Sequence, residues 1–99
     1  MVEVNWSERS LKDIDQIADY ISQDSYNYAI TFVDKIFDKE KYIQKYPLLG
    51  RIVPEFNVKN IREIIEGNYR IVYLISSDTE VHVLAVHHGA KKLTKRNLK

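Results

Sequence analysis

The apolar residues of this 99-residue chain change their spacing once. Up to Tyr46 they recur every three or four positions, and from residue 60 to residue 88 they alternate or run on continuously. A helix buries a stripe of period 3.6 and a strand buries every second residue, so a single switch predicts helices first and a sheet second. The stretch between the two patterns, 47–57, is punctuated by Pro47, Gly50 and Pro54 and is expected to be a loop. Before the first helix, Val2–Trp6 alternates in the manner of a short strand. Ser7 is placed to cap the first helix, whose stripe is Leu11, Ile14, Ile17, Ala18 and Ile21. Residues 22–24 break it. Ser25 can cap a second helix with Ala29, Phe32, Val33, Ile36, Phe37 and Ile43 on its buried side. That helix should stop near Tyr46, because a proline disfavours helical geometry in the residue before it.

Residues 60–66, 69–76 and 79–88 are rich in Ile, Val and Tyr, the composition of strands. Gly67-Asn68 reads as a two-residue hairpin turn, since both residues tolerate positive φ, and Ser77-Asp78 as a second, weaker one. The expected fold class is α+β in one domain over 1–99: an N-terminal strand, a helical hairpin, then a three-stranded antiparallel meander with the hairpin on one face. With both turns taken as two-residue loops, one sheet face carries Arg62, Ile64, Ile71, Tyr73, Ile75, Leu84 and Val86. The other carries Ile61, Glu63, Ile65, Arg70, Val72, Leu74, Val81, Val83, Ala85 and His87. Both faces are apolar and one helical hairpin covers only one, so a partner chain is expected over the second. The competing expectation is that loops and the C-terminal tail cover it.

The absence of cysteine removes disulfides, thiolate metal sites and thiol nucleophiles. No apolar run reaches membrane-span length and no signal-peptide pattern opens the chain, so a soluble protein of the cytoplasm, without membrane contact, is expected. The formal net charge of +1 conceals a split. Residues 1–46 carry 6 bases and 9 acids, whereas 47–99 carry 9 bases and 5 acids, with five bases and no acid in 91–99. Such a surface suits an anionic partner, or is simply a solvated tail.

Arg70 opens the most apolar strand, where an unpaired guanidinium is expensive to bury. Its fork suits a phosphate or carboxylate, and the plainer reading is an ion pair with Glu63 on the same face. His87 shares that face and His88 does not. Arg51 and Glu55 lie in the long loop, where a scaffold often carries functional groups. A carboxylate, an arginine and a histidine can together deprotonate a ribose 2′-hydroxyl, stabilise phosphorane charge and protonate the leaving oxygen. His82, His87 and His88 do not form a metal-ligand pattern at strand spacing, and no metal or other cofactor is expected.

Taken in order, these elements resemble the RelE/ParE superfamily of toxins from type II toxin–antitoxin (plasmid stabilisation) modules. The resemblance rests on Trp6-Ser7, Leu11 and Ile14 in the first helix, Tyr20-Ile21, the loop PLLGRIVPE at 47–55, REII at 62–65, YRIVY at 69–73 and HGAKKL at 88–93. It implies a helical hairpin against a small antiparallel sheet and a cognate antitoxin that lays an extended segment over the open sheet face, in a hetero-oligomer. It also implies a target, either ribosome-bound mRNA, which is cleaved, or DNA gyrase, which is poisoned. Arg70 matches the arginine that contacts the scissile phosphate in RNA-cleaving members; Glu55 and His87 or His88 fall near their acid–base residues. These three, Glu55, Arg70 and His87, are the catalytic candidates if the chain is an enzyme. Arg51, Arg62, His88, Lys91 and Lys92 are the candidate contacts to nucleic acid or to a protein target. Against cleavage, the paired lysines of RelE-like toxins fall at Ile61 and Glu63. The HGAKKL ending resembles the ParE type, with Lys91 in place of an arginine. The local pattern therefore favours gyrase inhibition, with metal-free mRNA cleavage and a decayed, antitoxin-binding domain as alternatives.

Overall fold

The computed structural model describes residues 1–99. Strand β1 (Glu3–Trp6) leads into helices α1 (Glu8–Ser22) and α2 (Tyr26–Lys45). After a 3-10 turn at Pro47–Leu49 come β2 (Arg51–Ile52), β3 (Ile61–Glu66), β4 (Tyr69–Ile75) and β5 (Glu80–His88), and a last 3-10 turn at Lys95–Leu98. All five strands form one sheet in the order β1-β5-β4-β3-β2. The meander β3-β4-β5 is antiparallel as expected. Two pairings add to it: β1 runs parallel to β5, and β2, inside the segment expected to be a plain loop, pairs antiparallel with β3. No helix is long and apolar enough to cross a membrane.

The helix ends follow local chemistry. Ser7 Oγ accepts the Ser10 amide at 3.0 Å and donates to the Leu84 carbonyl, which fixes the start of α1 against β5. Ser25 Oγ accepts the Tyr28 amide at 3.2 Å. Tyr46 leaves the helix at φ −136°, ahead of Pro47. Ile14, Ile36 and Ile43 from the helices close onto Ile71, Tyr73, Val81, Val83 and Val86 of the sheet. Asp13, 9% exposed, joins the two layers by accepting the Val86 amide and the Arg9 guanidinium.

The face assignment needs one correction. At the first hairpin, Glu66 pairs Tyr69 across Gly67-Asn68, and only Gly67 takes positive φ (+58°), as a type II′ turn requires at its first central position. The second hairpin is one residue wider than a two-residue loop. Ile75 pairs Val81, and Ser77 Oγ accepts the amides of Thr79 and Glu80, which stabilises the wider turn. One residue of slip reverses the faces of a strand, so Val81 and Val83 point to the helices. The register shifts again between Val72 and Tyr73, where Leu84 of β5 is bulged out, and this restores Ala85 and His87 to the Arg70 face. The second face is therefore less apolar than the sequence implied. The chain also covers part of it: Val72 is sealed by Val53 from the loop and Leu93 from the tail, with Phe56, Ile61 and Leu98 around them. Around Val72 the competing expectation holds, with the loop and the tail covering the face. Ile65 stays half exposed opposite Arg70, and Leu74, His82 and Leu84 stay only partly buried towards the other end of the strands.

Tyr73 anchors the 47–50 turn. Its buried hydroxyl donates to the Pro47 carbonyl at 2.6 Å and accepts the Gly50 amide at 3.0 Å. Gly50 must be glycine for space, since a Cβ there would lie 2.6 Å from the Glu63 carbonyl. Tyr73→Phe leaves an amide and a carbonyl unpaired, and should lower stability by about 1–2 kcal/mol. A urea titration in which the midpoint does not move would show that this clamp contributes nothing.

Candidate functional site

Arg70 enters β4 beside the hairpin and points away from the helices, where β3, the 53–56 turn and the tail converge. It is 4% exposed. Its fork is bidentate to Glu55, with Nη1–Oε1 at 2.9 Å and Nη2–Oε2 at 2.7 Å. Nη1 also donates to Glu63 at 3.2 Å, and Nη2 to the Lys91 carbonyl at 2.8 Å. Glu63 lies directly across the ladder from Val72, and its side chain is fully buried. Arg51, its partner across β2–β3, pairs with its second oxygen from the solvent side. The result is a chain of alternating charge, Arg51–Glu63–Arg70–Glu55, running inward from the sheet edge.

The tail closes this chain. Leu93, 1% exposed, fills the gap over Val72, and its amide donates to Glu55 Oε2 at 3.0 Å. His87 is cross-strand partner to Arg70, and its Nε2 lies 3.1 Å from the same Lys91 carbonyl that Arg70 holds. Arg9 reaches across from α1 to the carbonyls of Arg96 and Lys99. Polar ties from both layers thus hold a segment that has no regular structure between Lys91 and Thr94.

The electrostatics follow. The hydrogen bonds from Arg70 outweigh the cost of burial and, with the Leu93 amide, hold the Glu55 carboxyl down at about 2. The bonds to Glu55 raise the Arg70 pKa further. A carboxylate held this low is a poor proton acceptor near neutral pH. Of the guanidinium donors, the buried Nε has no partner. The structure thus brings Glu55, Arg70 and His87 together, as the sequence suggested, but inside an ion-pair network under the tail. The ion pair of Arg70 with Glu63 was legible; the closer pair with Glu55 was not.

The other candidates are dispersed. Arg51 belongs to the network. Arg62 is tied to backbone, donating to the carbonyls of Lys59, Leu48 and Gly50, and so braces the 47–50 turn. His88 lies on the helix side, its ring 5.4 Å from that of Tyr69, and its Nδ1 accepts the Ala90 amide. Lys91 and Lys92 are exposed. Sequence reading missed Asp13 and the structural part played by Leu93. The signal for Leu93 was present: Leu93 and Leu98 are the only apolar residues in the basic tail. No group of His, Asp or Glu side chains is arranged to hold a metal ion.

Two helices across one face of a five-stranded sheet, with a buried arginine–glutamate network under a basic tail on the other, define a small α+β toxin domain of the RelE/ParE kind. The family model described as "ParE toxin of type II toxin-antitoxin system, parDE" matches residues 4–93, and the chain belongs to that family. It is 32% identical over 88 residues to "Putative toxin Y4kP" of Sinorhizobium fredii, covering 87% of this chain and 86% of that protein. It is 26% identical over 91 residues to "Toxin RelE2" of Caulobacter vibrioides, covering 92% and 99%. Its fold matches a solved chain from "Chromosomal ParDE TA system from P. aeruginosa" with a TM-score of 0.72 at 21% identity, covering 89% of this chain and 96% of that one. The chain is a toxin of a ParDE-type toxin–antitoxin system, with an antitoxin as its partner.

Proposed function

We propose that this toxin arrests growth by inhibiting DNA gyrase, without cutting RNA. The observation that carries this reading is the engagement of both terminal nitrogens of Arg70 within the protein. Its two terminal nitrogens serve Glu55, Glu63 and the Lys91 carbonyl, and Glu55 is held far below the range of a working base. An acid–base nuclease needs those groups free. The ParE-type ending at 88–93 and the match to the ParE family support the same reading. The cognate antitoxin is proposed to lay an extended segment over the part of the sheet the chain leaves uncovered around Leu74, His82 and Leu84.

Induction of the toxin without its antitoxin should give cleaved DNA–gyrase complexes and an SOS response, with messages intact. Glu55→Gln and His87→Ala, in chains shown to be folded, should retain growth arrest. Messages cut within codons, together with loss of cutting in Glu55→Gln, would overturn the proposal and establish the RNA-cleaving alternative. Stable expression without arrest would leave an antitoxin-binding domain.

A further inference from the structure

On the face opposite Arg70, a groove of about 560 Å³ runs between α1 and the open end of the β4–β5 pair, beside the β3–β4 turn. Gln16, Tyr20, Asn68, Tyr69, His88 and Lys91 line it, and no carboxylate does. A smaller hollow of about 260 Å³ continues from it, shares Tyr69, His88 and Lys91, and reaches Arg9 and Asn97. The single acid of that continuation, Asp13, has both oxygens taken, by Arg9 and by the Val86 amide. The groove and its continuation therefore present no unpaired carboxylate.

Four of its groups are set for an anion beside a planar ring. His88 Nδ1 accepts the Ala90 amide, so the neutral ring carries its proton on Nε2, the nitrogen left free to donate. Lys91 has no carboxylate within ion-pair range, because every ion pair of the chain lies elsewhere. Its carbonyl is fixed by Arg70 and His87, so the backbone that carries this free ammonium is anchored. Tyr69 is braced edge-on by Phe32 and His88, and Tyr20, 69% exposed, offers a ring to solvent near it. A rigid aromatic platform beside an unpaired cation and an imidazole donor suits a base stacked on a ring with its phosphate a few ångströms away.

We infer that this groove binds one nucleotide unit, with the base against Tyr20 and Tyr69 and the phosphate at His88 and Lys91. The unit is either a free nucleotide or a residue of a single strand. The inference does not depend on which cellular target the toxin has, because it draws on the Arg70 network only to anchor the Lys91 backbone.

The test is a titration of the isotope-labelled whole chain with adenosine monophosphate, adenosine, inorganic phosphate and a short oligodeoxyadenosine, followed by NMR. The monophosphate should shift the amide signals of Asn68, His88 and Lys91 and bind more tightly than adenosine or phosphate alone. Tyr20→Ala and Lys91→Ala should each weaken it about tenfold; Lys41→Ala, on the far surface of α2, should not. An oligonucleotide that binds at least tenfold more tightly identifies a strand as the ligand; equal affinity identifies the free nucleotide. Absence of shifts, shifts spread evenly over the basic tail, or equal displacement by an oligoglutamate would each overturn the assignment.

Discussion

Arg70→Ala is expected to destabilise the folded chain by about 3–5 kcal/mol, a large part of the roughly 5–15 kcal/mol that separates a domain of this size from its unfolded state. The cost lies in what is left behind. Glu63 keeps a fully buried side chain with Arg51 as its one charged partner, and Glu55 retains only the Leu93 amide. The Lys91 carbonyl loses its Arg70 donor, so the tail loosens as well. Arg70→Lys keeps the charge, but one ammonium cannot make a bidentate pair with Glu55 while also reaching Glu63 and Lys91, so a loss between wild type and alanine is expected. Replacing both Arg70 and Glu63 by Met removes the buried charges together and should recover much of the loss. Urea unfolding with an unchanged slope reads all three variants. An alanine variant with the wild-type midpoint would show that the network is dispensable. The result also governs any growth assay: loss of toxicity in Arg70→Ala reports unfolding unless the chain is shown to be folded.

The elements that the sequence made legible are those decided within a few residues. Ser7, Ser25 and Pro47 set helix ends through a hydroxyl or a fixed ring, and Gly67 sets a turn through its φ. The three meander strands followed from the same local pattern. What stayed hidden depends on distant pairing. Nothing in Val2–Trp6 states that it will run parallel to β5, and a two-residue strand at Arg51-Ile52 has too few residues to show a period. The bulge at Leu84 is the clearest case. Its apolar neighbours Val83 and Ala85 make the strand look regular, yet the wider turn held by Ser77 and the bulge together put Val81 and Val83 on one face and Ala85 and His87 on the other. An error of one residue in the turn therefore put Val81 and Val83 on the second face and enlarged its apparent apolar surplus. Glu55 shows the same limit for the site. Its partner is fifteen positions away, beyond β3 and the hairpin turn, so only its presence beside Pro54, and not its pairing, was readable.

Acid should expose that pairing directly. Glu55 titrates near 2 in the folded chain against an ordinary value of 4.5, so the folded state binds its proton less readily than the unfolded state does. Its contribution is then complete above about pH 4.5 and is lost as the pH falls from there towards 2. The side chain is 15% exposed, and the shift corresponds to about 3 kcal/mol. Wild-type stability should fall steeply across that window. Glu55→Gln keeps the shape but cannot titrate, and should start lower at neutral pH and fall less; the difference between the two curves isolates this one carboxyl from the other acids. Trp6, the only tryptophan, is packed against Phe37 and bonded to Glu40 on the helix side, so its fluorescence reports global unfolding rather than release of the tail. Parallel curves for wild type and Glu55→Gln between pH 7 and 3 would mean that Arg70 does not hold Glu55 in solution. The carboxylate would then be free to act as a base, and RNA cleavage would regain its footing against gyrase inhibition.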